Sequence, residues 1–295
     1  MSVTAAPLGG SRLADMAPGI TAALSFSITD ILLKVVYASG MNVLTLVSLR
    51  GILVVVFFFV WLRASPPPVR HNRKERRIAL ALGLLFAGTM FGLLQAVALL
   101  PVSIAILAYF IYPLLTGIGG ALTGVDRLGW RGFLAALAAF VGLGLMLGAE
   151  YDTLAPLGIL CAFAAAVARV ISLLLTRAYL SGTDARLTTW YSMVPSTLLF
   201  LALLPVLGTW AVPADVAGWG AFLGVAATST LSTLLIYVST NRIGPFRTAF
   251  IMNLEPLVTT LLSMWLLGEV LTPVQGIGAA IMIVSLCAFQ LMKGR

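Results

Sequence analysis

The sequence predicts an all-α membrane protein: ten transmembrane helices in two inverted five-helix repeats, with both termini cytoplasmic. Three observations lead there. The 295-residue chain is 60% hydrophobic and only 9% charged, with a mean hydropathy of +1.06, whereas a soluble domain carries about 25% charged residues. Its apolar residues fall into ten runs long enough to cross a bilayer. Its basic residues fall on alternate connections between those runs.

The runs span about 16–38, 43–62, 78–99, 102–122, 132–148, 155–178, 187–208, 217–240, 245–267 and 273–292. Backbone in lipid must satisfy its own hydrogen bonds, so each run is a helix or part of a closed barrel. No ten-residue alternation of apolar and polar positions is present, which excludes the barrel. The first run follows Arg12 without a cleavage-site pattern and reads as a retained helix. Arg63, Arg70, Arg73, Lys74, Arg76 and Arg77 separate the second run from the third. Arg127 and Arg131 follow the fourth, Arg177 and Arg186 the sixth, and Arg242 and Arg247 the eighth; Lys293 and Arg295 end the chain. The other connections hold no basic residue, only Glu150, Asp152, Asp215 and Glu269. Of the 18 basic residues, Arg177 and Arg247 fall at the edges of runs, and only Lys34, Arg50 and Arg169 lie deep inside them. This partition places the termini and basic loops in the cytoplasm. It also accounts for the net charge of +8 without nucleic acid as a partner.

The chain repeats itself. Pro113-Leu-Leu-Thr116 is echoed by Pro256-Leu-Val-Thr259, and at the same offset Asp126 meets Glu269, Leu128 meets Leu271, Ala136 meets Ala279 and Val141 meets Val284. The halves are residues 1–150 and 151–295. Five spans per half is an odd number, so equivalent helices point in opposite directions. Inverted repeats give a secondary transporter two interchangeable states of similar energy.

Candidate functional residues follow from this arrangement. Pro113 and Pro256 interrupt the fourth and ninth spans at equivalent mid-depth positions, the best sequence pointer to a central site. Around them stand Tyr109, Tyr112, Asn253 and Glu255. A carboxylate at that depth marks function by default; Glu255 could bind an ammonium, carry a proton, or serve as scaffold. Gln95 and Tyr237, with Ser229, Thr230, Ser232 and Thr233, could line a polar path, although such hydroxyls commonly bond helix to helix. Asp30 and Lys34 are spaced i,i+4 on the first span. Aligning Gly19 with Gly158 sets Asp30 opposite Arg169, which suggests a charge pair that opens and closes with transport. Arg50 is expected to sit statically near a helix end.

Glu255-Pro256-Leu257, then Leu267-Gly268-Glu269-Val270-Leu271 and a glycine-rich last helix with Gly276 and Gly278, resemble the closing signature of EamA-type members of the drug/metabolite transporter superfamily. Leu49-Arg50 and the Ser25-to-Lys34 stretch are similar to its earlier motifs. The resemblance covers the whole chain and is nearest to the aromatic amino acid exporter group. Two departures make the halves chemically unequal: Tyr112 stands where an acid precedes Pro256, and Asp126 lacks a preceding glycine. The resemblance implies a multi-pass protein of a bacterial plasma membrane that exports amino acids or related small metabolites by alternating access; a monomer is compatible with the sequence, which does not itself set the oligomeric state. Broad efflux of drugs or cationic toxicants is the alternative within transport. An intramembrane enzyme acting on lipid-like substrates is the alternative from another class, and the sequence offers it no nucleophile with an acid–base partner. There is no P-loop, His71 is the single histidine, and no cluster offers a metal site, so neither cofactor nor metal is expected. Cys161 and Cys287 read as packed free thiols.

Overall fold

Helices use up the backbone donors and acceptors that lipid cannot satisfy, and the described chain is helices joined by turns. The computed structural model describes residues 12–126, 129–148, 155–207, 210–267 and 270–291. Arg127, Leu128, Glu150, Asp152, Gly268, Glu269, Lys293 and Arg295 lie outside the described residues. The elements are α1 (Arg12–Ala38), α2 (Val43–Ala64), α3 (Arg73–Leu99), α4 (Val102–Tyr109), α5 (Tyr112–Thr123), α6 (Trp130–Leu147), α7 (Pro156–Tyr179), α8 (Ala185–Leu207), α9 (Val216–Ile243), α10 (Pro245–Ile251), α11 (Leu254–Leu267) and α12 (Pro273–Leu291). Among the described residues, nine segments are long and apolar enough to cross a bilayer, with α4–α5 and α10–α11 each counting as one. Where the sequence reading expects a tenth span, the structure has a shorter apolar helix, Pro273–Phe289.

Local chemistry sets the ends. Asn42 caps α2 by accepting from the Thr45 amide at 2.8 Å. Asn72 and Glu75 form a reciprocal capping box at α3. Asp215 caps α9, accepting from Gly218 at 2.6 Å.

The two ends of the bundle differ in charge. Arg177 donates to the Asn241 carbonyl, and Asn241 Nδ2 to the Leu180 carbonyl at 3.2 Å. Arg186 reaches the Ser65 carbonyl at 3.3 Å, and the Phe246 amide donates to Asp126 Oδ2 at 3.1 Å. These bonds gather the Arg-rich connections at one end. At the other, the Ala214 amide donates to the Ser39 carbonyl at 2.9 Å and the Ala211 amide to Thr45 Oγ1 at 3.2 Å.

Packing follows the repeat. If α1, α2, α3, α4–α5 and α6 correspond to α7, α8, α9, α10–α11 and α12, then α1 against α9 and α3 against α7 are equivalent seams, and α2–α8 and α6–α12 each pair an element with its own counterpart. Those self-pairs run antiparallel: the end of α2 meets the start of α8, and the end of α6 at Gly148 meets Gln275 of α12. Small residues let backbones approach. A Cβ on Gly142 would lie 2.8 Å from the Gly278 carbonyl, and a Cβ on Gly83 would overlap the Ser192 carbonyl.

One pair of equivalent seams is unequal. α3 packs closely along α8 through the Gly83 notch, whereas α9 and α2 are parted by an apolar groove of about 400 Å³. Leu53, Phe57, Phe58 and Trp61 line it on one side and Ala226, Leu231 and Leu234 on the other.

Candidate functional site

Both interrupted spans break beside their prolines. Pro113 has no amide to bond the Tyr109 carbonyl; α4 ends at Tyr109 and α5 restarts at Tyr112. Pro256 likewise cannot bond the Met252 carbonyl, which instead accepts from the Glu255 amide at 3.0 Å. Asn253 is buried, and its side chain donates to the Phe250 carbonyl at 3.1 Å. Asn253 therefore seals the end of α10, and its amide is committed to the helix break.

The breaks meet at the interface of the two halves. The Tyr109 and Tyr112 rings lie 5.3 Å apart, and Tyr112 is only 2% exposed. From α7, the Arg169 guanidinium stands 5.9 Å from the Tyr112 ring centroid. It is within electrostatic reach of Tyr109, Tyr112, Glu255 and Tyr237. Tyr237 comes from α9 and also approaches Ser192. Arg169 and Tyr237, with Thr89, Ser172, Thr176 and Thr233, line a cavity of about 20 Å³, room for about one water. In this conformation a substrate needs the helices to part.

A polar seam continues from Glu255 between α1 and α11. Ser27 Oγ donates to the Glu255 carbonyl at 2.9 Å, Thr259 Oγ1 to Asp30 Oδ2 at 2.9 Å, and Lys34 Nζ to Ser263 Oγ at 3.3 Å. Ser27, Thr259 and Ser263 are thus site residues that the sequence reading did not single out. A signal was available: Glu255, Thr259 and Ser263 recur every fourth residue, as Asp30 and Lys34 do, giving two polar stripes that face one another.

Other candidates fall elsewhere. Asp30 and Arg169 keep different company here: the first bonds Thr259, the second faces tyrosines. Gln95 does not line the site; it is exposed on the α3 stripe that holds Leu84 and Phe91, because the opposite face of α3, at Thr89 and Gly92, is buried on α7. Arg50, expected near a helix end, is half-buried with its guanidinium 5.9 Å from the Phe86 ring centroid. Thr230 and Thr233 bond back to the carbonyls four residues earlier, and Ser232 also bridges to the Ala22 carbonyl of α1 at 3.0 Å.

The chain is thus a set of apolar, membrane-spanning helices with two proline-broken segments, and Glu255 and Arg169 lie close to those breaks. The chain belongs to the EamA-like transporter family, which it matches twice, over residues 16–148 and 156–289; its members are membrane transporters of small molecules. A solved crystal structure, described only as that of a protein, resembles this one with a TM-score of 0.79. The likeness covers 95% of this chain and 97% of that one at 18% sequence identity, and so bears on fold alone. None of the curated proteins compared matches the sequence.

Proposed function

We propose that this protein exports amino acids or related small metabolites across a bacterial plasma membrane by alternating access, in the manner of the aromatic amino acid exporter group. The observation that carries the reading is the meeting of two proline-broken helices around Tyr109, Tyr112 and Glu255. Tyrosine faces suit an aromatic or apolar side chain, and Glu255 suits an ammonium. In this reading α12 is the tenth span, the halves are residues 1–150 and 151–295, and the basic end with both termini faces the cytoplasm. The parted α2–α9 seam and the closed α3–α8 seam support alternating access. Two similar halves in unequal states can exchange them, and substrate biases that exchange by binding one state better. Broad efflux of organic cations is less favoured, because Arg169 places a fixed positive charge in the site.

Purified protein in liposomes, given labelled aromatic amino acids without ATP, tests this. Uptake saturates, and Tyr112→Ala and Glu255→Ala each lower kcat/KM by about tenfold or more, the loss expected when a buried contact worth ~1.5–3 kcal/mol is removed. Repeating the assay with and without a pH gradient separates proton coupling from facilitated export. Absence of uptake, or full activity in both variants, contradicts the reading.

A further inference from the structure

A charge at membrane depth needs a partner. Asp30 has Thr259, and Lys34 has Ser263. Arg169 is different. Its Nε is buried without a hydrogen-bond partner, and the ion pair found among the described residues is Arg186–Asp184 at the basic end of the bundle. The company of Arg169 is Tyr112, whose ring it faces and whose phenol it hydrogen-bonds, the Tyr109 and Tyr237 phenols, and Glu255 near enough to be felt but forming no ion pair with it. Arg169 also faces the small cavity it shares with Ser172, Thr176, Thr233 and Tyr237.

A guanidinium is a rigid fork of five donors that stays charged. The group that satisfies it best is a carboxylate, bound through two parallel N–H···O bonds. Glu255 supplies the opposite sign on the facing half of the molecule. A fixed cation and a carboxylate with tyrosine rings near both complement a zwitterion with a planar or apolar side chain.

We propose that Arg169 binds the substrate carboxylate while Glu255 faces the ammonium, so the substrate class is α-amino acids rather than organic cations or neutral metabolites. The inference rests on the export reading above and assigns its substrate polarity. It makes Arg169 a binding residue, with its charge aimed at cargo instead of at Asp30.

The test uses the full-length protein in liposomes with two labelled probes, phenylalanine and phenethylamine, which differ by the carboxylate. The readout is the ratio of their kcat/KM values in wild type, Arg169→Gln and Arg169→Lys. Wild type favours phenylalanine. In R169Q the ratio falls about tenfold or more. In R169K, which keeps the charge but not the fork, KM for phenylalanine rises while kcat changes little. An unchanged ratio in R169Q overturns the assignment and leaves the export reading standing. So does loss of both probes in R169Q together with a normal phenylalanine KM in R169K, the behaviour of a structural arginine. Wild-type vesicles that take up neither probe remove the export reading and this assignment with it.

Discussion

Buried Tyr112 and half-buried His71 illustrate two uses of a ring. Tyr112 opens α5 between Tyr109 and Arg169, where its face meets a guanidinium and, in the proposed function, an aromatic side chain. His71 sits outside the spans and ties the α2–α3 connection to α8 through Nε2 and Thr188 Oγ1 at 2.9 Å, while its Nδ1 is buried without a partner. Burial holds its pKa below the ordinary imidazole value, against the opposing pull of Glu75 and Asp184. The folded protein therefore favours the neutral ring. As pH falls below about 6.5, the unfolded chain takes up its proton first, so the stability tied to the neutral ring is present above that pH and lost below it. Thermal unfolding in detergent should show a lower Tm at pH 5.5 than at pH 7.5, with a smaller difference in His71→Gln. An equal difference in the variant would rule His71 out as the source.

At the scale of elements, the spans were legible because hydropathy is a property of whole segments. The α1, α2, α4–α5 and α7 boundaries lie within a few residues of those read from apolar runs and loop charge. Pro113 and Pro256 marked the breaks because a missing amide acts locally. Which face of a helix looks inward was less legible. In α3 both faces are apolar, so nothing in the sequence said that Gln95 shares the outward stripe of Leu84 and Phe91. Nor could spacing reveal that Asn253 turns back onto Phe250, or that Arg169 faces tyrosines from α5 and α9. Those contacts depend on how helices distant in sequence pack. The α3–α8 seam gives a sharper test of packing. Gly83→Val places methyl groups where the Ser192 carbonyl lies, an overpacking that costs about 1–3 kcal/mol. The variant should unfold at a lower temperature than wild type, whereas Gly88→Val, at a glycine with open space beside it, should not. Equal stability of the two would mean that α3 and α8 do not meet as described.

At the scale of the whole molecule, the proposed function depends on one relation, that the halves are equivalent units inserted in opposite directions. The relation explains why α2 pairs with α8 and α6 with α12, why the helix breaks meet at the centre, and why one seam can be closed while its equivalent is parted. It also fixes the sides: connections an odd number of spans apart lie on opposite faces. Val69 in the arginine-rich connection and Val270 just beyond α11 are both exposed and, in this account, face opposite sides of the membrane. The direct measurement is labelling of single cysteines at these two positions by an impermeant maleimide, in a chain with Cys161 and Cys287 replaced by serine. In intact cells Val270→Cys should be labelled, and Val69→Cys only after permeabilisation. Labelling of both from the same side would contradict the inverted repeat and the transport cycle built on it.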